Sequence, residues 1–249
     1  MEPGSKENHP APQVSNSPEE SQENPPSTEV QECIPLSRSP LFYSASAQSK
    51  VNRNPPLSKI KEGLYLGDCV SSHRGNVLRE NNITAVVSIL DYRYAQWGAE
   101  WYKNIINEGN HLFIPCKDSM THDLLPEMAN ICDFIHGHLN RESFGVSNVL
   151  VHCYKGVSRS ATGLIAYLMR TYKWSVDEAL DFVKEKRRIK PNKNFREQLE
   201  VWEAVRYEIW EDTEGKVPKA EYAAYLEIRA ERLKEAGLTG DEPVLMESL

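Results

Sequence analysis

The stretch NVLVHCYKGVSRSATGLI, residues 148–165, decides how this chain folds. Its opening, Asn148 to His152, is the short β-branched, apolar run of a buried strand. Its close is helical, with Leu164, Ile165 and Leu168 recurring on one face. A loop that leaves a strand and enters a helix turns successive backbone N–H groups into one concavity, and the helix dipole adds positive potential there. Such a nest binds phosphate oxygens. Arg159, six residues after Cys153, closes the ring with a two-pronged fork onto two of those oxygens, a geometry lysine does not offer. Gly156 at mid-loop suits a positive φ or a close approach of backbone to anion. A neighbouring cation and a helix N-terminus both favour thiolate over thiol. The residues alone therefore predict Cys153 as a nucleophile aimed at phosphorus.

Ile60, Leu64, Tyr65 and Leu66 flank Glu62-Gly63 in the pattern of a short hairpin. Ile83 to Leu90 (ITAVVSIL) and His111 to Cys116 (HLFIPC) read as further strands. Met128, Ile131, Cys132, Ile135 and Leu139 put one apolar face on a helix. Ser175 and Glu178 form a capping box that opens a helix toward Arg188, with Pro191 ending it. Another helix is predicted from Asn194 to Trp210, with Phe195, Leu199, Trp202 and Val205 turned inward. Strands alternating with helices describe a single α/β domain, a central twisted and mostly parallel sheet flanked by helices.

The 249 residues, 40% hydrophobic and 26% charged, suffice for one such domain with tails. The mean hydropathy of -0.56 shows polar segments diluting it. Residues 1–57, dense in Pro, Ser, Glu, Gln and Asn, are expected to be a disordered N-terminal tail. Its Ser17-Pro18 and Ser39-Pro40 pairs suit proline-directed kinases, but such pairs arise in any tail of this composition. Residues 58–210 form the expected catalytic domain. Residues 211–249 form a C-terminal extension, with a break at Gly215 to Pro218 and an amphipathic helix from Lys219 to Ala236 stopped by Gly237. A net charge of -7 argues against nucleic-acid binding and against an anionic membrane surface. No apolar run approaches the roughly 18 to 20 residues of a membrane span. Cys33, Cys69, Cys116, Cys132 and Cys153 are odd in number and widely spaced, which fits free thiols in a reducing compartment. The expected location is cytoplasmic, with nuclear entry on the Lys184 to Lys193 basic cluster. Cations at a helix C-terminus are also favourable without any such role. His136 and His138, two apart on a helix, face different ways, so no metal and no cofactor is implied.

The segment HCYKGVSRSA, residues 152–161, resembles the signature of the dual-specificity branch of the protein tyrosine phosphatases. Residues 61–67 (KEGLYLG) resemble that family's opening strand, and Ile189-Lys190-Pro191-Asn192 with Phe195 and Gln198-Leu199 its closing motif. The resemblance covers roughly Lys59 to Trp210. It implies that Cys153 attacks to form a phosphocysteine and that Arg159 binds the equatorial oxygens. It implies that Tyr154, Lys155, Gly156, Val157, Ser158 and Arg159 cradle the phosphate, and that Ser160 helps the thiolate leave. His152 is implied to hold the loop and lower the thiol pKa, and Asn192 to brace the loop from beneath. The leaving oxygen needs a proton, and Asp118 stands where the family's acid sits. Asp123, five residues on, is the rival, although before Leu124 and Leu125 it also reads as a helix cap.

The compact domain carries nothing like the Lys-Asn-Arg-Tyr loop of tyrosine-only phosphatases, and no rhodanese-like or cysteine-rich zinc module. It therefore resembles the small atypical members, whose shallower cleft admits phosphoserine and phosphothreonine with phosphotyrosine. The implied partners are phosphorylated proteins, kinases among them, met by a monomer. Lys155 alone points to an alternative substrate, a phosphoinositide, RNA 5′-phosphate or phosphoglucan, and a bland rim charge explains it equally. A non-catalytic phosphoprotein-binding scaffold is a further reading, against which Cys153 speaks. Cys116 is a candidate partner for an oxidised Cys153, or a plain core thiol.

Overall fold

The computed structural model describes residues 54–140 and 147–244. The expected tail, apart from residues 54–57, and its two Ser-Pro pairs lie outside the described residues. Leu57–Lys61 (β1) and Leu64–Gly67 (β2) form the expected antiparallel hairpin, turned by Gly63 at φ 73°. Ile83–Leu90 (β3), His111–Pro115 (β4) and Asn148–His152 (β5) run parallel to one another and to β2. The five-stranded order is β1-β2-β5-β3-β4.

Side chains alternate across a strand, so β3 and β5 feed two apolar layers. Val149 and Val151 join Ala85, Val87 and Ile89 in the larger core. Leu150 and Val86 face the other way, toward Tyr65, Leu78, Trp97 and Tyr102. Burial on both faces is what makes these strands read as unbroken apolar runs. The smaller layer is roofed by short pieces without legible periodicity: Cys69–His73 (α1), Gly75–Glu80 (α2), a 3-10 turn at Ala95–Gly98 and Glu100–Lys103 (α3).

The larger layer is roofed by Leu125–Leu139 (α4), Arg159–Tyr172 (α5), Val176–Lys186 (α6) and Lys193–Ala204 (α7). Arg159 to Met169 are all buried, which places α5 at the centre of that layer with its N-terminus at the end of β5. Ser175 and Glu178 make the full capping box.

Two helix ends differ from expectation. α6 stops at Lys186, well before Pro191, because Arg187 turns extended (φ -153°, ψ 134°) and drives its side chain inward. α7 stops at Ala204 instead of reaching Trp210, because Arg206 and Tyr207 take positive φ values of 56° and 67°. Trp210 then bridges to Pro218, turning the chain back. Ala220–Ala236 (α8) follows, ended by Gly237 at φ 66° as its sequence implies, and it packs on α7.

Candidate active site

The site lies where parallel strands end, the usual place for ligands in such sheets. Cys153 follows β5, Asp91 follows β3, and Cys116 to Asp118 follow β4. The loop from Cys153 to Arg159 is held by its carbonyls. Tyr154 O accepts from Cys69 N (3.3 Å), Gly156 O from Arg187 Nε (2.9 Å), Val157 O from Lys190 N (2.9 Å) and Ser158 O from Thr162 N (2.9 Å). A trans peptide points its N–H opposite to its C=O. Carbonyls bonded outward to the scaffold therefore turn the following amides inward over Cys153. Gly156 makes this possible at φ 64°, packed so tightly that a Cβ there would stand 2.4 Å from Gly67 O.

Arg159 is 6% exposed, and its Nη1 donates to Asp91 Oδ1 (3.0 Å) and Cys116 O (2.9 Å). Those bonds fix one edge of the guanidinium. Its buried Nε has no hydrogen-bond partner. An unpaired buried donor on a cation costs about 1–3 kcal/mol or more, a cost an anion in the loop removes. Ser160 Oγ donates to Cys153 Sγ (3.1 Å), from the first turn of α5.

Asp118 reaches the same place from the other side. Its Oδ1 accepts from Ser158 Oγ and Asn192 Nδ2, both at 2.8 Å, and its Oδ2 lies 3.9 Å from Arg159 Nε. Asn192 is expected beneath the loop. Its N–H donates to Ser158 Oγ of the loop (3.2 Å), and it also lines the cleft, holding Asp118 while its Oδ1 caps α7 at Phe195 N. Asp123 faces away: its Oδ1 accepts from Leu125 N (3.1 Å) and its Oδ2 from Tyr222 Oη (2.8 Å). Burial pushes the Asp123 carboxyl pKa up. The open cleft, 490 Å³ in volume, is lined by Asp118, Cys153, Tyr154, Lys155, Val157, Ser158, Arg159, Lys190 and Asn192.

His152 lies wholly buried under the loop. Its Nε2 contacts Ser88 Oγ (2.6 Å), which contacts His111 Nε2 (2.7 Å), whose Nδ1 lies 3.2 Å from Tyr102 Oη. Burial, with His111 and His73 nearby, pushes the His152 pKa well down. Held at Ser88, the His152 ring lies fixed beneath the loop. Cys116 is a buried thiol whose pKa burial drives up, and its backbone carbonyl anchors Arg159.

Two residues of the site are missed by sequence reasoning. Arg187, 2% exposed, also donates through Nη1 to Pro55 O (2.6 Å) and Ser58 Oγ (3.1 Å), tying the loop to β1. In sequence it is one cation among six between Lys184 and Lys193. Its only signal is its place two residues before the closing motif that starts at Ile189. Asp91, which orients Arg159, has no signal beyond ending an apolar strand.

A strand-end cysteine under a ring of inward amides, with an arginine fork and a carboxylate opposite, is the architecture of the cysteine-dependent phosphatases. The chain belongs to the dual specificity phosphatase catalytic-domain family, whose model matches residues 64–205, more than half of it. It is similar to dual specificity protein phosphatase 12 of Mus musculus, 34% identical over 153 residues, 61% of this chain and 42% of that protein. It is similar also to dual specificity protein phosphatase 26 of Rattus norvegicus, 36% identical over 143 residues, 57% of this chain and 64% of that protein. The chain thus spans less than two thirds of the length of these relatives. Among solved structures, the Yvh1 phosphatase domain from Chaetomium thermophilum superposes with a TM-score of 0.53 at 30% identity, covering 60% of this chain and 96% of that one.

Proposed function

We propose that this protein hydrolyses phosphotyrosine and phosphoserine or phosphothreonine monoesters in proteins, through a phosphocysteine on Cys153. The observation that carries this reading is the outward bonding of the loop carbonyls, which leaves a ring of amides and the unpaired Arg159 Nε around the sulfur. The Cys153 thiolate attacks phosphorus, and the bond from phosphorus to the leaving oxygen breaks. That oxygen takes a proton from Asp118, a contribution of about 10²- to 10⁴-fold for general acids. Water then attacks the phosphocysteine while Asp118 accepts its proton. The P–S bond breaks, inorganic phosphate departs, and Ser160 Oγ–H supports the returning thiolate at 3.1 Å. Arg159 and the amides hold the equatorial oxygens throughout, stabilising charge that a rigid donor ring meets without reorganising. Since the nucleophile must stay reduced, the working location is cytoplasmic or nuclear.

The exposed Lys155 and Lys190 on the cleft rim form no ion pair among the described residues, and they favour acidic sequence around the phosphorylated residue. Turnover of phosphotyrosine, phosphoserine and phosphothreonine peptides should persist in excess chelator and vanish in Cys153→Ser. Turnover of phosphoinositides or RNA 5′-phosphate with none of phosphopeptides would overturn the protein-substrate assignment.

A further inference from the structure

α8 lies beyond the residues matched by the family model, yet its polar side chains reach the segment that carries Asp118. Tyr222, Tyr225 and Arg229 follow one another at three and four residues, so they share one face. Tyr222 Oη donates to Asp123 Oδ2 (2.8 Å), and Arg229 Nε donates to Thr121 O (2.7 Å). Tyr225 works through α7. Its hydroxyl accepts from Gln198 Nε2 (2.7 Å) and donates to Asn194 Oδ1 (3.0 Å).

The backbone groups of the acid segment set which way both amides face, and α8 completes the arrangement: Tyr225 Oη and Arg232 Nη1 (3.4 Å) both donate to Asn194 Oδ1. With Asn194 Oδ1 occupied, Asn194 Nδ2 donates to Ser119 O (3.2 Å) and His122 O (2.7 Å). Gln198 Oε1, turned the other way, accepts from Leu124 N (2.7 Å), and its Nε2 also reaches His122 O (2.8 Å). The backbone between Ser119 and Leu124 is thus held by α8 itself and by Asn194 and Gln198, which α8 contacts, in addition to Asn192 Nδ2 on Ser119 O (3.3 Å) and the Ser119 hydroxyl within the segment. The two tyrosines are each 3% exposed, and the Tyr225 bonds are buried, so solvent is a poor substitute for them.

We propose that α8 is a built-in positioning element for the acid loop: Tyr222, Tyr225 and Arg229 hold the segment after Asp118 in the place from which its carboxyl can protonate a leaving group. This rests on the reading of Asp118 as the acid. Catalysis tolerates little misplacement, since a shift of about 1 Å can cost on the order of 10²-fold in rate. Attack by Cys153 does not need the loop, whereas departure of a poor leaving group does. Loss of the brace therefore acts selectively.

The test uses the full chain and aryl phosphates whose phenols span a range of acidity, from p-nitrophenyl phosphate to phenyl phosphate. Asp118→Asn should lose about 10²-fold or more on phenyl phosphate and far less on p-nitrophenyl phosphate. Tyr225→Phe and Arg229→Met should show the same tilt, about tenfold on the poor leaving group and within about twofold on the good one. In an Asp118→Asn background they should add no further tilt. Tyr225→Phe removes one oxygen and keeps the packing, so it carries the test if Arg229→Met does not fold. A tilt in Asp118→Asn without one in the α8 variants, or an equal loss on every substrate, overturns the brace alone. No tilt in Asp118→Asn overturns the acid assignment and the brace with it.

Discussion

Replacing Gly156 by alanine tests the loop geometry with a single methyl group. At φ 64° an alanine pays about 1–2 kcal/mol for the left-handed backbone. Its Cβ would stand 2.4 Å from Gly67 O, 2.6 Å from Gly67 C and 2.5 Å from Arg187 Nη2. Gly67 is paired in the sheet opposite His152, so the backbone there yields little and the loop must move. Relief to ordinary contact needs a shift of about 1 Å, and overpacking of this kind costs about 1–3 kcal/mol. The sum, about 2–5 kcal/mol, lies below the total stability of most domains, so Gly156→Ala should fold with a lowered urea midpoint. The moved loop loses the Arg187–Gly156 bond and the alignment of its amides. Tungstate affinity, by calorimetry, should fall at least tenfold, and kcat/KM by about 10²-fold. Gly137→Ala, inside α4 with nothing within 4 Å of the new methyl, is the control and should gain about 0.5–1 kcal/mol. Gly156→Ala within about 0.5 kcal/mol of the parent, with unchanged tungstate binding, would refute the close-packed loop.

Arg187→Met leaves the carbonyls of Gly156 and Pro55 and the Ser58 hydroxyl without their donor, and should cost about 3 kcal/mol in thermal or urea melts together with weaker tungstate binding. A melt unchanged from the parent would show that the loop does not depend on it. Stability should also fall on acidification below the histidine range. Burial lowers His73, His111 and His122 from 6.5 to about 4 and lowers His152 as well, so below 6.5 the unfolded chain takes up protons that the native state refuses. Each contributes up to about 1.4 kcal/mol per pH unit, less where solvent reaches the ring. Urea midpoints should decline steadily from pH 6.5 to about 4.5; a flat profile there would contradict the buried neutral imidazoles.

The strands and the nucleophile loop were legible because their physics is local. Ile83–Leu90 and Asn148–His152 are apolar on both faces, and Ser175 with Glu178 writes its cap in four residues. Cys153, Arg159 and Ser160 share one loop and one helix turn, so spacing places them together. Asp118 and Asn192 come from separate elements, and only family resemblance brought them near Cys153. Arg187 and Asp91 act through tertiary contacts that no spacing records. The ends of α6 and α7 were overrun because an extended Arg187 and left-handed Arg206 and Tyr207 are set by what they pack against. α8 was legible as a helix, but an amphipathic stripe does not say which surface it meets.

The most direct measurement is intact-mass analysis of the protein quenched in acid during turnover of p-nitrophenyl phosphate. Ser160→Ala, which removes the hydroxyl 3.1 Å from the sulfur, should lengthen the life of the intermediate. One phosphoryl group should appear, map to Cys153 and decay when substrate is spent, and Cys153→Ser should show neither adduct nor turnover. Full turnover by Cys153→Ser, or a phosphoryl group on any other residue, would contradict the account.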